Sequence, residues 1–428
     1  MKIHIVGAGP TGMSLAWEIL RSGDHDITIY DRKVSAGGSW WEPDIETRDL
    51  HAHRIVFDRA FINTQSLFKE MGIDWDMIFE PVKDDVFKFM RESLSMKDYG
   101  ALTSLAARVL TQPEKYKKIA LKDAMGPLSP NGKTFIEHIT LVIDGVTWDV
   151  MSAYEFVKSF DHVATSKQYT QRVSGKVMCD AMESALINAG VNFVFGVELE
   201  NVAYYSDGYT ATFNNELVVD DGMLFLCLDN SPALKILGDN WGPDADKKLR
   251  VSTYGAINVL LDYDTAPSIK SDIEIATQTP WNLQPKVLSD GKTVSCVICN
   301  LTQEILKTEP DTLKAEVLAQ LKLPEPKTVR IGWGAEWKDD TWEFSQSSGV
   351  LSLHGQLPFF GKCPYVAMCG MMSPRNTPYS SIEASVEVSR SLSHECFQTR
   401  ESLQPIFATQ IILITFLILI VLLIVYLR

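Results

Sequence analysis

The sequence predicts an α/β chain: a parallel sheet with helices on its faces, interleaved with an α+β portion, and a transmembrane helix at the C-terminus. Three observations carry that expectation. They are a strand–turn–helix–strand unit at the start, two later segments whose pattern returns to it, and an apolar run at the end. In the first unit, Lys2–Val6 reads as a short apolar strand, Gly7-Ala8-Gly9-Pro10-Thr11-Gly12 as a turn, and the residues through Leu20 as a helix that Gly23 closes. A second strand, Ile27–Tyr30, ends at Asp31. Each position has a physical role in holding a dinucleotide. Gly7 permits the tight turn, Gly9 lets the backbone approach a pyrophosphate, and Gly12 lets helix and strand pack closely. Ala8, Pro10 and Thr11 bring the helix N-terminus, with its free N–H groups and positive dipole end, to the phosphates. Asp31, about 20 residues beyond the glycines, is placed to accept hydrogen bonds from ribose hydroxyls. Strand, helix, Ala16, second strand and acid arrive in the order of a Rossmann-type unit.

The residues beyond Asp31 narrow the cofactor. Arg32–Ala36 lead into Gly37-Gly38-Ser39-Trp40, a second glycine pair one short spacer after the acid. The whole run resembles the extended FAD signature of the glutathione-reductase-like flavoproteins: GxGxxGxxxA, an acid, five residues, then GG. That superfamily includes amine oxidases, phytoene and carotenoid desaturases, and flavin monooxygenases. The resemblance implies FAD, with Arg32, Gly37, Gly38, Ser39 and Trp40 near it and the second glycine pair along the pyrophosphate and ribityl chain, where a Cβ would collide.

Two later segments continue the resemblance. Pro364–Gly370 is a strand running into a glycine turn, and a helix begins at Ile382-Glu383-Ala384. This is similar to the closing motif of the amine oxidase and phytoene desaturase families, whose last helix points its N-terminus at the flavin pyrimidine edge. Gly370 and Glu383 match that motif. Met371 or Met372 stands where the families carry an acid for the ribityl hydroxyls, and Ala384 replaces a glycine. In mid-chain, a helix over residues 177–189, strands over 191–195, 199–204, 210–213 and 224–228, and the stretch Asp229–Leu234 resemble the families' middle segment. There the strand beginning at Leu199 faces the adenine.

Composition bounds the partners. The chain has 428 residues, 46% of them hydrophobic, and a formal net charge of −14, which argues against a nucleic-acid partner. The seven cysteines are scattered, and Met1-Lys2 leads directly into a core strand, so a reducing compartment is expected and a disulfide framework is not. Cys296-Val297-Ile298-Cys299 is the CxxC of the chain; without a second pair it reads as a buried core strand, and no metal centre is expected. Residues 406–427 are almost entirely Ile, Leu, Val and Phe, long enough to span a bilayer core at about 1.5 Å per residue. The expectation is a single-pass tail anchor with the N-terminal domain in the cytosol, the endoplasmic reticulum being favoured over the outer mitochondrial membrane.

The expected organisation is a discontinuous FAD-binding domain (1–48, 173–237 and 357–394), a substrate domain (49–172 and 238–356), a linker (395–405) and the tail. Candidate catalytic residues are His51 and His53, which follow the glycine pair and titrate near neutrality, and Arg375 and Tyr379, in the loop that the families bring over the pyrimidine end. A surface loop is the plain alternative for the two histidines, and a solvated loop arginine for Arg375. Trp40 and Trp41 either wall the flavin or pack beneath the sheet. The strand around Asn258 lacks the Lys that amine oxidases carry there. No Ser-Gly-Gly-Cys-type stretch is present, and Cys363 and Cys369 lie too close to the closing motif, so FAD is expected to be non-covalent. The function this implies is a membrane-anchored FAD-dependent oxidoreductase that takes hydride from an apolar, lipid-like or amine small-molecule substrate. Two other readings stay open. One is a flavin monooxygenase, for which Gly37-Gly38-Ser39-Trp40 speaks and the lack of a mid-chain GxGxxG speaks against. The other is a scaffold that keeps the fold without turnover.

Overall fold

The computed structural model describes residues 1–40, 53–82, 86–251, 255–269, 278–288, 290–298, 300–332, 334–344 and 353–405. Among them, five strands form one all-parallel sheet. Lys2–Val6 lies at its centre, with Asp26–Asp31 and then Asn192–Phe195 on one side and Met223–Leu226 and then Val366–Met368 on the other. The two central strands, KIHIV and DITIYD, have Ile3, Ile5, Ile27 and Ile29 buried, as expected of a sheet covered on both faces. All five strands point their C-terminal ends at the same crevice, where ligands bind in open α/β sheets.

Helix Pro10–Leu20 starts with Pro at its first turn and packs against the C-terminal helix Ile382–Phe397. Gly12 makes the strand–helix approach possible: a Cβ there would stand 2.0 Å from the Gly7 carbonyl oxygen. Gly7 itself has φ +111°, a conformation that glycine adopts readily. A hairpin sheet, Leu199–Tyr204, Tyr209–Phe213 and Val218–Val219, covers the adjoining face.

The remaining segments divide into a helical part and a sheet. Helices Met96–Thr111, Pro130–Asp144 and Ala153–Thr165 share a core with Leu105, Phe135, Ile136 and Phe156 buried in it. The antiparallel sheet runs Leu283–Val287, Thr293–Ile298, Ile257–Asp262, Thr328–Ile331. Alternation sends Ile257, Val259, Leu261, Val294, Cys296 and Ile298 into a core shared with helix Pro310–Leu321. Cys296 is thus a core residue; Cys299 lies outside the described residues. The opposite face of the sheet carries Asn258, Val297, Ser295 and Gln284.

A buried ionic cluster joins the two ends of the chain. Glu18 and Arg390 are both completely buried and lie 2.9 Å apart. Arg400 bridges Glu18 and Glu70, and Arg390 also donates to the Asn63 Oδ1 at 2.8 Å.

One expectation is corrected. No helix among the described residues is long and apolar enough to cross a membrane. The longest, Met96–Thr111 and Ile382–Phe397, have 16 residues, or about 24 Å of helix against a hydrocarbon core of ~30 Å. Residues 406–427, on which the transmembrane helix was expected, lie outside the described residues. The fold is therefore α/β with an interleaved α+β portion and no membrane-spanning helix among the described residues, and the tail-anchored placement is withdrawn.

Removing Arg390 would leave the buried Glu18 with the part-exposed Arg400 as its remaining cation. Arg390→Leu is expected to lower the unfolding free energy by about 3–5 kcal/mol, the cost of breaking a buried pair from one side. Urea denaturation checks it, and a loss within about 1 kcal/mol would show that Arg400 alone satisfies Glu18.

Candidate active site

The crevice at the strand ends opens into a cavity of about 490 Å³, within the range of about 300–1,000 Å³ usual for small-molecule sites. One end is the glycine turn after the first strand. Gly7, Gly9, Pro10, Thr11, Asp31, Arg32, Gly38, Ser39 and Trp40 line it, and Leu199, Gly370 and Ile382 line it from later segments. Ala8, Gly12 and Gly37 are not on the lining; they build the turn from behind. The Gly37 N–H donates to the Ala8 carbonyl at 2.9 Å, and the Ala8 N–H donates to Asp31 Oδ2 at 2.7 Å. The other Asp31 oxygen accepts from the Lys33 N–H at 2.8 Å. The Asp31 carboxylate is thereby fixed at the end of its strand on the cavity wall.

Two helix N-termini meet here. Helix Pro10–Leu20 has no side-chain cap at Gly9, and helix Ile382–Phe397 is capped by Ser381, whose Oγ accepts from the Ala384 N–H at 3.1 Å. The two helices are pinned together by Ser389 Oγ donating to the Thr11 carbonyl at 2.8 Å. The glycine pair closes tightly on the first turn: a Cβ on Gly38 would come within 2.6 Å of the Gly9 Cα, and one on Gly9 within 3.3 Å of the Gly38 Cα. The wall at this point is bare backbone.

Glu383 does not face the cavity. Its Oε1 accepts from the Asn63 N–H and Nδ2, and its Oε2 from the Thr64 N–H and Oγ1, at 2.6–3.0 Å. It therefore ties the last helix to the start of helix Ile62–Met71. Burial pushes its carboxyl up to about 7 against the pull of these four donors.

The four catalytic candidates separate. His51 lies outside the described residues, as does Trp41. His53 lines the cavity, its Nε2 3.0 Å from Ser295 Oγ and 3.2 Å from the Ser295 carbonyl oxygen. Burial, helped by the Lys286 cation, pulls its pKa down to about 3. Tyr379 also lines the cavity; its hydroxyl lies 2.5 Å from His162 Nδ1, and its ring stacks on Phe61 and meets Phe57. Arg375 turns away from the lining. Its guanidinium bonds the Met371 and Tyr379 carbonyls, drawn inward by Asp144, Glu387 and Glu155, and burial lowers its pKa to about 10. Trp40 is buried, with the Arg54 guanidinium 4.4 Å over its ring.

Other residues at the site escape a reading of the sequence. Lys33, two positions past Asp31, lines the cavity, donates to the Gly38 carbonyl at 3.0 Å, and is pulled down to about 8 by burial. Its adjacency to the acid was the one available signal. Asp144 sits at the end of helix Pro130–Asp144 on the cavity wall, its carboxyl pushed well up by burial. His162, on helix Ala153–Thr165, is buried behind Tyr379 and pulled down to about 3 by burial. Nothing local marks either one, because each reaches the site through packing of a distant helix.

The cavity beyond the turn has two kinds of wall. Ile139, Leu141, Ile143, Val163, Phe57 and Phe61 make an apolar side; Gln284, Val297, Ala256 and His53 make the side against the antiparallel sheet. Met371 lines the cavity where the related motif carries an acid, and Met372 is buried in the core.

Residues 5–64 match the family of NAD(P)-binding Rossmann-like domains. No curated protein sequence matches the chain significantly. Solved structures match it almost from end to end. Wild-type putrescine oxidase bound to putrescine is similar with a TM-score of 0.65 at 13% identity, covering 93% of this chain and 99% of that one. Cyclohexylamine oxidase from Brevibacterium oxydans gives 0.61 at 12% identity, over 93% and 98%. An oxidoreductase from Methanosarcina mazei gives 0.64 at 13% identity, over 92% and 100%. With its N-terminal Rossmann-like unit and this end-to-end likeness, the chain has the fold seen in putrescine oxidase and cyclohexylamine oxidase.

Proposed function

We propose that the protein is an FAD-dependent oxidoreductase that removes hydride from an apolar or amine small molecule, with the FAD held non-covalently. The observation that carries this reading is the continuity of the cavity, from the bare-backbone turn at Gly9 and Gly38 to the mixed apolar and polar space between Tyr379 and the antiparallel sheet. Bound FAD supplies the two-electron acceptor. The chain's own residues hold and orient. Asp31 accepts from the ribose hydroxyls, Gly9, Thr11 and Gly38 admit the pyrophosphate, and the N-terminus of helix Ile382–Phe397 stabilises negative charge at the far end. The fit is good at the turn, where Gly9 and Gly38 approach too closely to carry a Cβ and present backbone to the cavity. It is weaker at Met371, which offers no carboxylate to ribityl hydroxyls, so binding relies more on the Asp31 end.

In this reading, residues 1–48, 173–237 and 357–394 hold the cofactor, and 49–172 and 238–356 shape the substrate space. Phe57, Phe61 and Tyr379 exclude water and wall the reacting carbon. Putrescine oxidase and cyclohexylamine oxidase share the fold, and their amine substrates favour an amine here.

Asp31→Ala is expected to weaken FAD binding by about 1–3 kcal/mol, the cost of losing a buried acceptor; titration followed by flavin fluorescence checks it, and an unchanged affinity would count against the assignment. Anaerobic mixing of FAD-loaded protein with primary amines is expected to bleach the flavin, while NADPH leaves it oxidised. Rapid bleaching by NADPH would overturn the oxidase reading in favour of a monooxygenase.

A further inference from the structure

Three side chains on the sheet side of the cavity form a line of hydrogen bonds with a fixed direction. Ser295 Oγ donates to Asn258 Oδ1 at 2.9 Å, so its proton points away from His53. His53 Nε2 lies 3.0 Å from that same oxygen and 3.2 Å from the Ser295 carbonyl. A carbonyl only accepts, so Nε2 must carry the proton. The ring is neutral, because it is enclosed and Lys286, which donates to Thr170 Oγ1 at 3.2 Å, adds positive charge nearby. A neutral imidazole protonated on Nε2 leaves a lone pair on Nδ1. Among the described residues that nitrogen has no hydrogen-bond partner, and the ring lines the cavity. Asn258 is almost fully buried; its Oδ1 accepts from Ser295, and its Nδ2 has no partner among the described residues.

We propose that His53 is a specificity-determining hydrogen-bond acceptor, held in one tautomer by Ser295 and Asn258, which selects substrates bearing an N–H or O–H donor over pure hydrocarbons. The inference rests on reading this cavity as the oxidoreductase's substrate space, and it narrows that reading. Such a ring is a poor base at neutral pH, so its part is to orient the donor and not to take the proton. Ser295 and Asn258 are positioning residues. With Asn258 replaced by a residue that cannot accept, the Ser295 hydroxyl can rotate and donate to Nε2, which frees the proton to sit on Nδ1.

Long-range ¹H–¹⁵N NMR of the full chain labelled with [¹⁵N]histidine reads the tautomer directly, and His53→Phe assigns the resonance. His53 is expected to stay neutral and Nε2-protonated from pH 8 to about 5, whereas Asn258→Leu shows a mixture of tautomers. Cyclohexanol and n-hexylamine are expected to shift the Nδ1 resonance and methylcyclohexane to leave it unmoved, with the affinity of the two donors falling about tenfold in His53→Phe, the factor one ordinary hydrogen bond supplies. An Nδ1-protonated ring, titration near neutrality, or indifference to both donors would overturn the proposal. The tautomer readout needs no flavin, so failure to take up FAD would sink the oxidoreductase reading separately.

Discussion

The site depends on one buried contact, the Glu18–Arg390 pair between the first helix and the last. Taking two charges out of water costs several kcal/mol per ion, and only good geometry with further hydrogen bonds offsets it. Here Arg400 adds a second cation to Glu18, while Asn63 and Ser66 each accept from Arg390. The consequence is a fixed register. Helix Ile382–Phe397 cannot slide along helix Pro10–Leu20 without breaking the pair, so Ser381 and Ile382 stay beside Pro10 and Thr11 at the cavity. Two segments separated by most of the chain thus act as one wall.

The same cluster explains why Glu383, matched by sequence to a cofactor motif, is structural. Its carboxylate serves four donors at the start of helix Ile62–Met71, which seats Phe61 and Phe57 against Tyr379. A side chain turned from the cavity thus holds the aromatic wall in place. Arg375 behaves similarly: its guanidinium turns inward, where burial costs it and Asp144, Glu387 and Glu155 partly offset that cost.

Local chemistry was legible and distant packing was not. The turn from Gly7 to Gly12, Asp31 and the Gly37–Gly38 pair could be read because each is defined by steric demands within one short βαβ unit. The strand ending at Met368 and the helix opening at Ile382 were legible for the same reason. His162 and Tyr379 are 217 positions apart, and no spacing rule joins them. Lys33 was visible beside Asp31, but its burial depends on a fold that closes over it. The Ser295–Asn258 line was hidden because it needs the register of two antiparallel strands; the sequence showed only that Asn258 occupies a place where a lysine was expected. The terminal apolar run shows the opposite weakness, since hydropathy alone supported a membrane helix that has no counterpart among the described residues.

Uptake of FAD by the purified full chain is the decisive experiment, measured as the visible spectrum of the protein after incubation with FAD and removal of the free cofactor. About one flavin per chain is expected, with the absorption bands of a flavin held in a largely apolar site. A well-folded protein that stays colourless would refute the cofactor assignment and leave the glycine turn without the dinucleotide it is shaped to hold.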